Sequence, residues 1–162
     1  MKIIFLDFDG VLNSTTSHMY HTFNKPIHSV LWNPAPNPLS VFLVERVLSN
    51  EDVYAVISSS HRKQKPLTDI KDILKDSFGF SKDSLEKVID VTPNLNTLRG
   101  TEIQEYLKNN KNITEYCILD DGTDFLKEQK PYLVKTLFDD GYVYKDYIQT
   151  LKILKLKILK MN

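Results

Sequence analysis

The chain has 162 residues, 41% hydrophobic and 26% charged with seven prolines and five glycines, which suits one folded domain and excludes a disordered or collagen-like chain. Its 21 basic and 21 acidic residues cancel, so no general grip on long nucleic acid is advertised, although a local basic groove stays open. The single Cys117 excludes an internal disulfide, the start is too short and too acidic for a signal peptide, and no apolar run nears the ~20 residues of a membrane span; a cytoplasmic protein without membrane contact is expected.

Lys2 to Phe8 reads as a short strand, apolar on both faces as at the centre of a parallel sheet. It contains Asp7 and leads into Asp9, two carboxylates one residue apart, whose repulsion and burial call for a compensating charge. Residues 13–38 read as a loop, with Pro26, Pro34, Pro36 and Pro38 among Asn, Ser, Thr and His. Their position directly after the acidic pair suggests a flap over the site. Leu39 to Ser49 carries Leu39, Phe42, Leu43, Val47 and Leu48 at helical spacing, with Asn50 as the stop.

Val53 to Ile57 is the second strand and runs into Ser58-Ser59-Ser60-His61-Arg62. Leu67 to Phe78 is an amphipathic helix ended by Gly79, and Val88 to Val91 a third strand. Thr101 to Asn109 reads as a helix capped by Thr101. Tyr116 to Leu119 is a buried strand that also ends in acids, Asp120 and Asp121. Tyr132 to Leu137 is a last strand. From Lys145 to the end the pattern is helical, with Ile148, Leu151, Leu154 and Ile158 inward and the lysines solvated. Strands alternating with helices predict right-handed crossovers and one α/β domain over residues 1–162, built on a mainly parallel sheet.

Three apolar strands thus stop at polar clusters. In open α/β sheets ligands bind beyond the carboxyl ends of the strands, so clusters far apart in sequence meet at one edge. Carboxylates gathered there need a cation, and hard oxygen ligands select Mg²⁺. Such a site suits a phosphoryl group: one carboxylate attacks phosphorus, and a neighbouring acid protonates the leaving oxygen and later activates water. Asp9 stands in the right place for that second task.

"FLDFDGVLN" at 5–13 resembles motif one of the haloacid dehalogenase (HAD) superfamily, "VISSS" at 56–60 its second motif and "ILDD" at 118–121 its fourth. A closer resemblance is to the HAD domain associated with Swiss Army Knife RNA-repair proteins. It is carried by "SSSHR" at 58–62, "RGTEI" at 99–103, "ILDD", and "LVKT" at 133–136 followed by Gly141. The resemblance implies a three-layer α/β/α Rossmann-like fold with a minimal cap or none. It implies Mg²⁺, with Asp7 as nucleophile and ligand, and Asp9 as general acid/base that gives its backbone carbonyl to the metal. Asp121 is the implied principal acidic ligand, with Asp120 beside it and Asp124 acting through a water. Ser58 is the implied phosphoryl-binding hydroxyl, with the Ser59 amide beside it and Ser60 as a rival in the serine run. Arg99 takes the place where many relatives carry Lys. His61 stands where close relatives often have Trp.

Other residues have competing readings. His18, His21 and His28 are read as exposed loop histidines rather than zinc ligands, because the lone Cys117 falls in a strand. Tyr20, Phe23 and Trp32 either pack the loop onto the sheet or stack on a base, Trp32 being the substrate-binding candidate. Arg62 is either a surface residue or a rim residue that holds a substrate phosphate bidentately. The expected function is a Mg²⁺-dependent phosphomonoesterase. A polynucleotide end, RNA or DNA, is the first substrate class and a nucleotide or other small phosphomonoester the second. A weakly catalytic binding module is the alternative, and no obligate protein partner is inferred.

Overall fold

The structure, a computed structural model, describes residues 1–23 and 35–157. Strand β1 (Lys2–Leu6) lies between β2 (Val53–Ile57) and β4 (Glu115–Asp120), with β3 (Val88–Val91) outside β2 and β5 (Leu133–Lys135) outside β4. All these pairings are parallel. The register is decisive, since Leu6 stands opposite both Ile57 and Leu119. Asp7, Ser58 and Asp120 therefore leave the sheet level with one another, on adjacent strands. Strand order also reverses at β1, which is where ligand crevices form in such sheets.

The continuous apolar run of β1 is explained by cover on both faces. Ile4 and Leu6 pack with Val44 of α2 (Pro38–Leu48), Ile70 and Leu74 of α3 (Leu67–Phe78), and Tyr147 of α6 (Tyr144–Ile153). Ile3 and Phe5 pack on the opposite side with Ile103 and Tyr106 of α5 (Arg99–Asn109). Two apolar layers around an all-parallel sheet give the expected three-layer α/β architecture. No helix among the described residues is long and apolar enough to cross a membrane.

Several boundaries depart from the sequence reading, each for a local reason. Residues 13–38 are not all loop, because α1 (Thr15–Phe23) begins directly after Ser14. Ser14 and Ser17 form a reciprocal cap: Ser17 N–H donates to Ser14 Oγ (3.1 Å), and Ser14 N–H donates to Ser17 Oγ (3.0 Å). A serine replaces the Glu or Gln that usually marks this device. Residues 24–34, with Trp32 and His28, lie outside the described residues.

The α5 helix begins at Arg99 rather than being capped by Thr101, since its first amide finds a partner across the chain. Helix α6 stops at Ile153, because Lys155 turns left-handed (φ 52°) and the Leu156 and Lys155 amides fold back onto Leu151 O and Lys152 O. That is the Schellman stop, here without glycine. Leu154 still points inward, fully buried, whereas Ile158 lies outside the described residues. A short α4 (Lys82–Glu86) and two 3₁₀ turns at Ser60–Arg62 and Lys127–Tyr132 complete the elements described.

Arg62 is neither at the surface nor at a rim. It is 4% exposed, and its guanidinium donates to Ser58 O (2.8 Å), Ser59 O (2.8 Å), Thr92 O (3.0 Å), Pro93 O (3.3 Å) and the Glu102 carboxylate. A guanidinium has five N–H groups, so none is left for a substrate phosphate. Arg62 instead ties the carboxyl end of β2 to α5. Removing one partner of a buried ion pair costs about 3–5 kcal/mol. Glu102→Ala should therefore lower the unfolding free energy by about that much in urea denaturation, and a loss under about 1 kcal/mol would show that the pair does not hold the two elements.

Candidate active site

Asp7 and Asp120 are almost completely buried, at 4% and 1% exposure, and half-buried Asp121 adjoins them. One carboxylate oxygen from each of the three lies within 4.8 Å of the others. Among the described residues, one cation stands between them: Arg99 Nη1 donates to both Asp7 Oδ2 and Asp120 Oδ2. The remaining oxygens use backbone donors, Phe8 N–H to Asp7 Oδ1 (2.7 Å) and Gly122 N–H to Asp120 Oδ1 (2.7 Å).

Arg99 reaches the acids because α5 starts there. Asp124 fixes that start, accepting the Arg99 amide on Oδ2 (3.1 Å) and the Gly100 amide on its backbone oxygen (3.1 Å). Asp124 thus serves as a helix cap supplied from another loop. Gly100 lets the two segments meet, since a Cβ there would lie 2.7 Å from Leu126 N and 2.9 Å from Phe125 Cα. Glu102 of the same "RGTEI" stretch holds Arg62, and Ile103 fills the core.

The loop after β1 is fixed as tightly. Gly10 has φ +69°, and a Cβ there would fall 2.6 Å from Asp121 Cγ. Its carbonyl accepts from Thr136 Oγ1 (2.7 Å), while the Thr136 amide donates to Asp120 O (3.0 Å). One threonine at the end of β5 therefore joins both acidic loops.

Asp9 turns away from this cluster. Its Oδ1 accepts from Asn13 Nδ2 (2.9 Å), and its Oδ2 meets His61 Nε2 at 3.1 Å. Asn13 in turn accepts the Gly10 amide on Oδ1 (2.9 Å). Sequence alone singles out neither Asn13 nor His61 as a partner of Asp9. The one signal is that a second ionisable group, His61, closes the strand next to Asp9's own. Of the serine run, Ser58 is fully buried and its hydroxyl has no partner among the described residues. Ser59 Oγ accepts the His61 amide (3.4 Å), and Ser60 is exposed. Tyr20 is 69% exposed, so it does not pack the loop onto the sheet.

The electrostatics are those of an acidic cluster that is only partly compensated. Burial pushes the Asp120 carboxyl up to about 7, with Asp7 adding to the rise and Arg99 only partly offsetting it. Burial and then Asp7 also raise Asp121. Burial opposes the charge on Arg99, yet Asp7 and Asp120 together raise it. Three carboxylates face one guanidinium, so the cluster favours a further positive charge. The Asp9–His61 pair behaves oppositely: the hydrogen bond lowers Asp9 and raises His61.

A sequence model of the HAD domain in Swiss Army Knife RNA repair proteins matches residues 3–145, from β1 to the start of α6. No curated protein and no solved structure gives a significant match to the chain.

The Asp9 pair is open to direct measurement. In metal-free protein the His61 ring protons should titrate above the ordinary histidine value of about 6.5, because the carboxylate favours the imidazolium. Asp9→Asn removes that carboxylate and should move the NMR midpoint down. An unchanged midpoint would mean the two groups do not share a proton.

Proposed function

Because the chain belongs to the family of HAD domains found in Swiss Army Knife RNA repair proteins, we propose that it is a Mg²⁺-dependent phosphomonoesterase working through an aspartyl-phosphate on Asp7. The observation that carries the reading is the meeting of Asp7, Asp120 and Asp121 at adjacent strand ends, with Arg99 the one cation among the described residues that forms ion pairs with them. An all-oxygen donor set of this charge fits a hard divalent cation, and the buried, unpartnered Ser58 hydroxyl fits a phosphoryl oxygen. Asp7, Asp120, Asp121 and the Asp9 backbone carbonyl would hold the ion. Bound there, Mg²⁺ neutralises charge on the phosphoryl oxygens.

The chain's own groups then divide the work. Ser58 and the Ser59 amide bind the phosphoryl group, and Arg99 balances its charge. A carboxylate oxygen of Asp7 attacks phosphorus, and the bond to the leaving oxygen breaks. That oxygen takes a proton from Asp9, whose Oδ2 meets His61 Nε2. Asp9 then draws a proton from water, whose oxygen attacks phosphorus; phosphate leaves and Asp7 is restored. The family favours a polynucleotide end as substrate, with a free nucleotide second. A domain that binds phosphorylated ends without cleaving them is the other reading, favoured by the Arg99 bond already engaging Asp7 Oδ2.

A phosphate-release panel covering nucleotides, sugar phosphates and oligonucleotides phosphorylated at either end tests this. Wild type with Mg²⁺ should turn over, while Asp7→Asn should fall to background with its circular dichroism intact. Full activity in EDTA or in Asp7→Asn would overturn the mechanism, and binding without release in the wild type would assign a binding role. Asp9→Asn should slow turnover by ~10²–10⁴, the usual worth of general acid–base help. Arg99→Ala should damage turnover more than melting temperature, with Arg99→Lys recovering part of it, since charge returns without the planar fork. Near-normal turnover of Arg99→Ala would remove Arg99 from the site.

A further inference from the structure

A cavity of about 280 Å³ opens on the Asp9 side of the site, lined by Asp9, Asn13, Ser14, Thr15, His18, Ala35 and Phe138. Its surface is almost all carbon, for a reason visible in the hydrogen bonds. The Asn13 amide is spent on Asp9 and Gly10, and Ser14 Oγ on Ser17. Polar groups line the cavity but turn their atoms elsewhere. Asp9 lines the cavity and, in the mechanism above, protonates the leaving oxygen, so a group attached to that oxygen would come to lie against this cavity.

Phe138 gives the cavity its character. It sits half-exposed on a turn closed by the Leu137–Gly141 bridge. That turn is tied to α1: Thr15 N–H donates to Phe138 O (3.1 Å), Thr16 N–H to Asp139 O (3.2 Å), and Thr16 Oγ1 to the same oxygen (2.8 Å). The first amides of α1 are satisfied by the turn that carries the ring. An exposed aromatic on a backbone held in this way can stack with little backbone ordering cost. The volume lies just under the ~300–1,000 Å³ that buries a drug-sized ligand, which suits one flat ring system.

We propose that this cavity is a leaving-group subsite that takes the base of the phosphorylated nucleotide, stacked on Phe138. The enzyme thereby selects phosphomonoesters of nucleosides, free or at a chain end, over esters that lack a base. The inference rests on the hydrolase reading above and deepens it. It adds Phe138 to the aromatic candidates Tyr20, Phe23 and Trp32, the last of which lies outside the described residues.

The test compares ribose 5-phosphate with adenosine 5′- and 3′-monophosphate, and with oligoribonucleotides phosphorylated at either end. Wild type should prefer the better adenosine ester over ribose 5-phosphate by about tenfold or more, chiefly in KM. Phe138→Ala should shrink that preference by about tenfold, the scale of one base–aromatic stack, and Phe138→Trp should restore it. Adenosine monophosphate binding to Asp7→Asn by calorimetry should weaken about tenfold when Phe138→Ala is added. A preference for the oligonucleotide points to chain ends and one for the mononucleotide to free nucleotides, both supporting the subsite. Equal kcat/KM for esters with and without a base, or an unchanged preference in Phe138→Ala, overturns it. Phe138-dependent binding with no hydrolysis of any ester would overturn the hydrolase reading alone.

Discussion

The Arg99 guanidinium between Asp7 and Asp120 is the contact on which the carboxyl edge of the sheet depends. A buried carboxylate costs several kcal/mol unless it is paired, and here two emerge side by side because parallel register brings Leu6 level with Leu119. The cation that answers them comes from neither strand. It comes from a helix whose start is set by Asp124, whose approach requires Gly100, and whose first turn also carries Glu102 to hold Arg62. The motif "RGTEI" is thus one mechanical unit, with the requirements at Arg99, Gly100, Glu102 and Ile103 each traceable to a contact.

One guanidinium is nevertheless too little. With three carboxylates in reach of one another, Asp120 remains shifted up to about 7 although Arg99 touches it. The site is balanced for folding only if a proton or another cation shares it. That shortage separates this cluster from the Arg62–Glu102 pair, where charges match and every donor is used. The matched pair holds structure together. The mismatched cluster leaves negative charge in surplus.

The sheet was legible because buried parallel strands are continuous apolar runs with little competing pattern, and Val53–Ile57 and Val88–Val91 fall where their residues place them. Acids at two strand ends could be read as one site because parallel register makes strand ends neighbours. What stayed hidden depends on partners distant in sequence. Nothing in Arg62 itself says that it is buried among carbonyls rather than aimed at a substrate. Nothing in Thr101 says that Asp124, 23 residues on, caps the helix two residues earlier. The start of α1 was signalled only by Ser14 and Ser17, small polar residues that serve loops as readily as caps. Phe138 looked like any aromatic beside a turn.

Thr136 has a further consequence. Its amide and hydroxyl bind Asp120 O and Gly10 O, so the two acidic loops are clasped from β5, a strand of three residues at the edge of the sheet. Short edge strands open at low free energy, well before a protein unfolds as a whole. Each such opening would free the Gly10 and Asp120 carbonyls together and uncover Val134, which is buried in the core. The alignment of the two acidic loops is therefore tied to the sheet's margin as well as to its centre.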